Sequence, residues 1–329
     1  MFKSTTSKLA LGVVALVVVA GYPAYRYIFG ATVVDVNSTE QAQKIEDYAN
    51  PAAFTTPLQL AKMMKEDDKL IVIGALNPAK GDTPISGSFT FWRGDYSAQK
   101  SAYDYGGMRN TAEEMEDLLS RIGASPDSPI VVYAANKHHD AARLYWQLGL
   151  LGHENVKYLD GGLNAWLGAE LPVGNANPTV EATDYVAPNK NETKLATIEM
   201  VRNAITDDDW VIIDTRGTDE FDGTSVKSGA YGPGAIPGAV HINWTKAVNE
   251  DSTLKTAAEL KALYGDLIKG KKVISYCQSG VRSAHTTMVL EEVLGATDVY
   301  NYDGSWIEWS HAFYEEGREG IEIMNGGKS

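Results

Sequence analysis

The sequence predicts an α/β protein of two domains, each an open parallel sheet flanked by helices, after an N-terminal hydrophobic segment. Three observations carry this. Short apolar runs alternate with helix-like stretches along most of the chain, the pattern of a parallel sheet covered by helices. The same pattern occurs twice, at an offset of 140 residues early in the copies and of 143 from residue 130 onward. The chain has 329 residues, room for about two domains at ~150 residues each.

The first 34 residues are set apart by composition. Lys3 and Lys8 precede an uncharged apolar run, "LALGVVALVVVAGYPAY" at 9–25, a positive segment followed by a hydrophobic one. Its length is at the lower limit for crossing a bilayer. Residues 1–34 are therefore expected to be either a cleaved signal peptide or an uncleaved membrane anchor through 9–25. Either role sends the rest of the chain to a periplasmic or other extracytoplasmic compartment, with the lysines left inside.

The repeat begins after this segment. "TPLQLAKMMKEDDKLIVIGA" (56–75) matches "ATIEMVRNAITDDDWVIIDT" (196–215): a helix, an acidic turn and a short strand. "IVVYAANKHHDAARLYWQLGLLG" (130–152) matches "VISYCQSGVRSAHTTMVLEEVLG" (273–295) without a gap. The register carries on, placing Asp160 on Asp303 and Trp166 on Trp309. Between the copies lies a stretch rich in Asn and Pro with no sustained periodicity, which reads as a linker. The expected division is 35–173 for the first domain, 174–184 for the linker and 185–329 for the second domain.

In open α/β sheets, ligands bind beyond the carboxyl ends of the strands. The run 273–276 is such a strand, and Cys277, the single cysteine of the chain, is the first residue past it. A helix is expected over 284–294. A thiol becomes a good nucleophile once ionised, and a helix start lowers its pKa. A tight loop containing Gly280 can turn several N–H groups inward as an anion nest. Arg282 adds a fixed charge, and Ser279 and Ser283 add hydroxyls. The alternative is a buried cysteine that only packs. The first copy is an internal control: its matching loop has Ala134 for Cys277 and His139 for Arg282. The scaffold there forms without sulfur or guanidinium, which favours a chemical role for both in the second copy.

The motifs "CQSGVRS" (277–283), "DTRGTDEF" (214–221), "GAIPGAVHI" (234–242) and "YDGSWIEW" (302–309) together resemble the tandem-domain rhodaneses, sulfurtransferases of the thiosulfate/3-mercaptopyruvate family. The resemblance implies two rhodanese-like domains, the first without the catalytic cysteine. It implies that Cys277 takes a sulfane sulfur from a small anionic donor, thiosulfate or 3-mercaptopyruvate. The resulting persulfide passes it to a thiol or cyanide acceptor, with no cofactor and no metal. Thiosulfate-type members carry basic residues where Gln278 and Ser279 stand; mercaptopyruvate-type members share Ser279, Gly280 and Val281 but have Thr in place of Arg282. Both donors stay open.

The expected donor-binding set is Arg282, Arg216, Gln278, Ser279, Gly280, Val281 and Ser283, with Asp214 supporting. Arg216 and Asp214 end the strand "WVIID", on the edge where Cys277 lies. Glu220 is expected to anchor a turn, Trp306 and Trp309 to pack in the core, and "KHHD" (137–140) to border the cleft from the first domain.

Other functions fit less well. The net charge of −14 and the lack of a basic stripe exclude a nucleic-acid binder. A Cys-based zinc site and an intramolecular disulfide are excluded by the cysteine count. Cysteine phosphatases place five residues between cysteine and arginine; the shorter loop here suits one sulfur and is too tight for phosphate. A non-catalytic persulfide carrier serving a partner protein is the remaining alternative.

Overall fold

A computed structural model describes residues 25–28, 31–34, 38–98, 102–135 and 138–326. The expected segment 9–25 lies outside the described residues save Tyr25. Among the described residues, no helix is long and apolar enough to cross a membrane.

The described residues begin with an antiparallel strand pair, β1 (Tyr25–Ile28) and β2 (Ala31–Val34). The first domain then holds β3 (Phe54–Thr55), β4 (Ile71–Ala75), β5 (Phe89–Phe91), β6 (Ile130–Ala134) and β7 (Val156–Leu159). The second holds β8 (Leu195–Ala196), β9 (Trp210–Asp214), β10 (Val240–His241), β11 (Lys272–Tyr276) and β12 (Val299–Tyr302). Each set forms a five-stranded parallel sheet, ordered β3-β7-β6-β4-β5 and β8-β12-β11-β9-β10. The identical order is the three-dimensional form of the sequence repeat. The central strands "IVIGA" and "IVVYA" are buried along their whole length, as parallel strands covered on both faces must be.

The helices of the first domain are α1 (Ser38–Glu46), α2 (Pro57–Glu66), α3 (Ala112–Arg121), α4 (His139–Leu150) and α5 (Gly162–Gly168). Those of the second are α6 (Ile198–Ala204), α7 (Thr218–Phe221), α8 (Ala257–Ile268), α9 (Val281–Met288) and α10 (Ser305–Tyr314). Their starts are written in the sequence. Thr56 with Gln59, Thr111 with Glu114, and Thr256 with Glu259 each close a capping box, satisfying two orphan amides at once. The helix expected over 284–294 starts three residues earlier, at Val281, and finishes as a π turn over Val289–Val293.

Residues 174–194 form neither helix nor strand and are strapped to the first domain. Thr183 N donates to Ser120 O (3.0 Å), Tyr185 N to Ser120 Oγ (2.9 Å) and Asn191 N to Leu150 O (2.8 Å). Tyr185 is buried, its hydroxyl 2.9 Å from His153 Nδ1.

The two domains meet through the equivalent helices α4 and α9, and one apolar cluster runs through both. The contact is reciprocal. Asp160, at the end of β7, accepts from Leu254 N of the second domain at 2.7 Å and from Lys44 Nζ at 2.8 Å. Its counterpart Asp303, after β12, accepts from Arg109 N of the first domain at 2.9 Å and pairs with Arg143 of α4. Arg143 is fully buried, and this carboxylate is the partner that compensates it. Removing one partner of a buried pair costs about 3–5 kcal/mol because the other is left uncompensated. Asp303→Ala should therefore lower stability by about that amount in urea unfolding; a loss below ~1 kcal/mol would mean the pair does not hold the domains together.

Candidate active site

The loop 277–283 is built from backbone constraints first. Cys277 follows β11 directly, and α9 begins four residues later. Gly280 between them has φ +72, a left-handed conformation that suits glycine. A Cβ there would also stand 2.6 Å from Arg143 Nη1 and 2.6 Å from Asp303 Oδ1. The interdomain ion pair thus lies directly against the cysteine loop. Ser305 braces the same loop: its Oγ accepts from Cys277 N (3.1 Å) and Gly280 N (3.0 Å) and donates to Tyr302 O (2.6 Å). Asn301 Nδ2 donates to Gly280 O at 3.0 Å. Two of the loop amides expected to turn on the sulfur are therefore spent on Ser305. The amides of Ser279 and Ser283 remain to serve it.

Cys277 is fully buried from solvent. Burial pushes its thiol up, but the Arg282 charge, the Ser283 amide and hydroxyl and the Ser279 amide outweigh it, and the thiol sits below its ordinary value. Ser283 Oγ lies 3.6 Å from Sγ and 2.6 Å from Asn301 Oδ1. Its one proton can serve the carbonyl or the sulfur. Arg282 is held in place by Glu220, Nη1 to Oε2 at 2.6 Å and Nη2 to Oε1 at 2.9 Å. Glu220 also accepts from Gly217 N at the start of α7, so the turn anchor foreseen for it is real and comes with the grip on Arg282.

The other predicted pair is elsewhere. Arg216 is buried, and its guanidinium is consumed by Asp214 (Nη2 to Oδ2, 2.6 Å) and by Gly234 O (2.8 Å). It lies between the rings of Tyr276 and Trp306, 5.5 and 4.8 Å from their centroids. Asp214 accepts in addition from Tyr276 OH at 2.6 Å. The structure does not bring Arg216 to the cavity beside Cys277, because the carboxylate two residues before it closes the fork. The first domain has Gly74 in Asp214's place, and there Tyr133 fills the space that a side chain would need. Trp306 and Trp309 are core residues, as expected.

A cavity of about 1010 Å³ opens at the carboxyl ends of the strands, between the domains. Cys277, Gln278, Ser279, Val281 and Arg282 lie on one side. Gly280 and Ser283 stand behind this wall. Lys227, Ser228 and Gly229 form a second wall; they belong to the long insertion "DGTSVKSGAYGP" (222–233). Gln278 Nε2 pins it by donating to Lys227 O and Ser228 O at 3.4 and 3.3 Å. Arg93, Ser97, Gly106, Gly107 and His139 of the first domain line the opposite side. The domains approach closely at the mouth, where a Cβ on Gly107 would stand 3.2 Å from Ser279 Cβ. Trp244 roofs the space, edge-on to His139 (4.6 Å) and to His285 (5.2 Å). Burial holds His285 neutral down to about 3. Of these first-domain residues only "KHHD" was picked out from sequence. Arg93 could have been found by the strand-end rule, since it follows β5 at its carboxyl end. Among the described residues, no group of three His, Cys, Asp or Glu side chains could hold a metal ion.

The chain thus pairs two parallel-sheet domains of one strand order, of which one carries the cysteine loop. The family Rhodanese, "Rhodanese-like domain", matches residues 26–169 and 197–312, and the chain belongs to it. The chain is 39% identical over 208 residues to "Putative thiosulfate sulfurtransferase" of Haloferax volcanii, covering 61% of this chain and 72% of that protein. It is 34% identical over 207 residues to "Thiosulfate sulfurtransferase" of Corynebacterium glutamicum, covering 60% and 69%. The fold is also similar to that of the anaerobic ergothioneine biosynthesis enzyme from Chlorobium limicola, with TM-score 0.73 and 19% identity over 85% of this chain and 72% of that one. The chain is a sulfurtransferase by this kinship.

The lowered thiol has a direct consequence. The alkylation rate by iodoacetamide should titrate with a midpoint below that of a free cysteine, ~8.5. Arg282→Gln should move the midpoint upward, since the charge favouring thiolate is gone; an unmoved midpoint would remove Arg282 from the activation of the sulfur.

Proposed function

We propose that the protein transfers sulfane sulfur from thiosulfate to a small thiophilic acceptor, cyanide or a thiol, through a persulfide on Cys277. One observation carries this reading: the sole cysteine stands at the floor of a cavity, its thiol lowered by Arg282 and by Ser283 and Ser279 donors despite full burial. The names of the relatives support thiosulfate as donor; 3-mercaptopyruvate is the donor to set against it.

The first half-reaction is displacement at sulfur. Thiolate Cys277 attacks the outer sulfur of thiosulfate, the S–S bond of the donor breaks, and its electron pair leaves with sulfite. The product is a persulfide anion at Cys277. With 3-mercaptopyruvate the C–S bond breaks instead, and the thiol proton ends on carbon as pyruvate leaves. In the second half-reaction the acceptor attacks the terminal sulfur and restores the thiolate. The groups that hold the first anion, Arg282 and the Ser279 and Ser283 donors, also face the second, so neither half-reaction needs a separate base. Such covalent catalysis gives ping-pong kinetics.

A non-catalytic carrier would present its sulfur to a partner protein. Burial of Cys277 at the floor of a cavity favours small donors and acceptors over such a handover. We extend the proposal to location: Lys3 and Lys8 ahead of the apolar run 9–25 support an extracytoplasmic enzyme, exported by a signal peptide or held by an anchor.

Two measurements check these statements. Cys277→Ser should reduce thiocyanate formation from thiosulfate and cyanide by about a thousandfold or more, with an unchanged circular dichroism spectrum. A serine variant retaining a tenth of the rate would refute a Cys277 persulfide. Expressed as residues 1–329 in a Gram-negative host, the protein should fractionate with periplasm or membrane; recovery in the cytosol alone would exclude export.

A further inference from the structure

We infer that the anionic end of the sulfur donor is held by Arg93 of the cysteine-less domain together with Lys227 of the second-domain insertion, and not by the arginines beside the cysteine. This rests on the proposed donor chemistry and adds an oxyanion subsite to it, contributed across the domain interface.

The argument starts from charge. The chain carries a net −14, yet the described lining of the cavity presents three cationic side chains, Arg93, Lys227 and Arg282, while their carboxylate partners Asp140, Asp219 and Glu220 lie outside that lining. A small dianion must be drawn in by such a local field against the global one. The three cations differ in what remains of their hydrogen-bonding capacity. Arg282 gives both Nη atoms to Glu220 in a bidentate pair. Its fork is closed, and its remaining role is the charge it places near the sulfur. Arg216, outside the cavity, is closed by Asp214 and Gly234 O.

Arg93 is different. Its Nε donates to Asp140 Oδ1 at 2.9 Å, which fixes the side chain from behind. Its Nη2 lies 3.3 Å from Nε2 of His139, itself a lining residue, and the side chain is 44% exposed. Asp140 is buried beneath it. With Nε on Asp140 and one Nη2 proton toward His139, Nη1 and the second Nη2 proton are left to take a sulfonate or carboxylate with two parallel bonds. Lys227 is half exposed and pairs only loosely with Asp219, at 3.4 Å, so its ammonium can turn to the ligand. Gln278 holds the Lys227 and Ser228 carbonyls and thereby ties this wall to the cysteine loop. The cysteine-less domain is thus part of the binding site, which explains why its cleft face carries a guanidinium where its own loop has lost the sulfur.

The test separates anion binding from chemistry. In the Cys277→Ser protein, calorimetric titration with thiosulfate reads the subsite alone. Arg93→Gln in that background should weaken thiosulfate binding about tenfold or more, the loss expected for a charge-assisted pair. Lys227→Gln, on an exposed side chain, should weaken it about threefold, with an unchanged thermal midpoint. In the Cys277 enzyme the same substitutions should raise the KM for thiosulfate by similar factors and leave kcat within about threefold, a split that a merely structural role would not give. Repeating the titration with pyruvate distinguishes a site for carboxylates from one for sulfonates. Affinity unchanged within twofold in both variants, or no measurable binding to the Cys277→Ser protein, overturns the subsite. If instead the Cys277 enzyme never takes up sulfur while the titration shows the expected losses, the subsite stands and the donor chemistry falls.

Discussion

The structure depends on holding the pKa of a buried thiol below its ordinary value. A buried anion is unfavourable unless paired and hydrogen-bonded. Cys277 meets that condition with the Arg282 charge and with donors from Ser279 and Ser283. Each of these needs its own support. Glu220 orients Arg282, and Asn301 shares the Ser283 hydroxyl and holds the Gly280 carbonyl. Ser305 draws together the amides at both ends of the turn. The loop is therefore a small polar network in which nearly every member has a partner.

The same constraint explains why two domains are present when one carries the sulfur. Gly280 rests on the Arg143–Asp303 pair, and Arg143 belongs to the first domain. Asp160 makes the reverse contact, to the Leu254 amide. Two copies of one strand-end aspartate reach across the interface in opposite directions, joining the halves by a pseudo-symmetric exchange. The second sheet alone could form a cysteine loop, but the surface beneath Gly280 and the far wall of the cavity would be missing. The first domain has kept its packing and given up Asp214's counterpart, with Gly74 accommodating the ring of Tyr133.

Much of this was legible beforehand, for a physical reason. A parallel strand must be apolar along its length, and a ligand loop must follow its carboxyl end. An apolar run ending at 276 therefore located Cys277, and the gapless repeat located Asp160 and Asp303 on equivalent strands. The boundaries of α9 were less legible, since Val281 and Arg282 carry no start signal beyond Gly280. Arg216 was harder still. Position placed it on the right sheet edge, but whether a guanidinium faces a ligand or a carboxylate two residues away depends on side-chain direction. Arg93 and Lys227 belong to segments far apart in sequence, and only the closed interface sets them around one space.

The central claim is that Cys277 itself carries the transferred sulfur. Intact mass spectrometry of the protein incubated with thiosulfate and freed of excess donor reads this directly. The account predicts a gain of one sulfur atom, about 32 mass units, localised to the peptide containing Cys277 and removed by cyanide with formation of thiocyanate, as a covalent intermediate requires. An unchanged mass with thiosulfate and with 3-mercaptopyruvate, in protein whose thiol still alkylates readily, would contradict it.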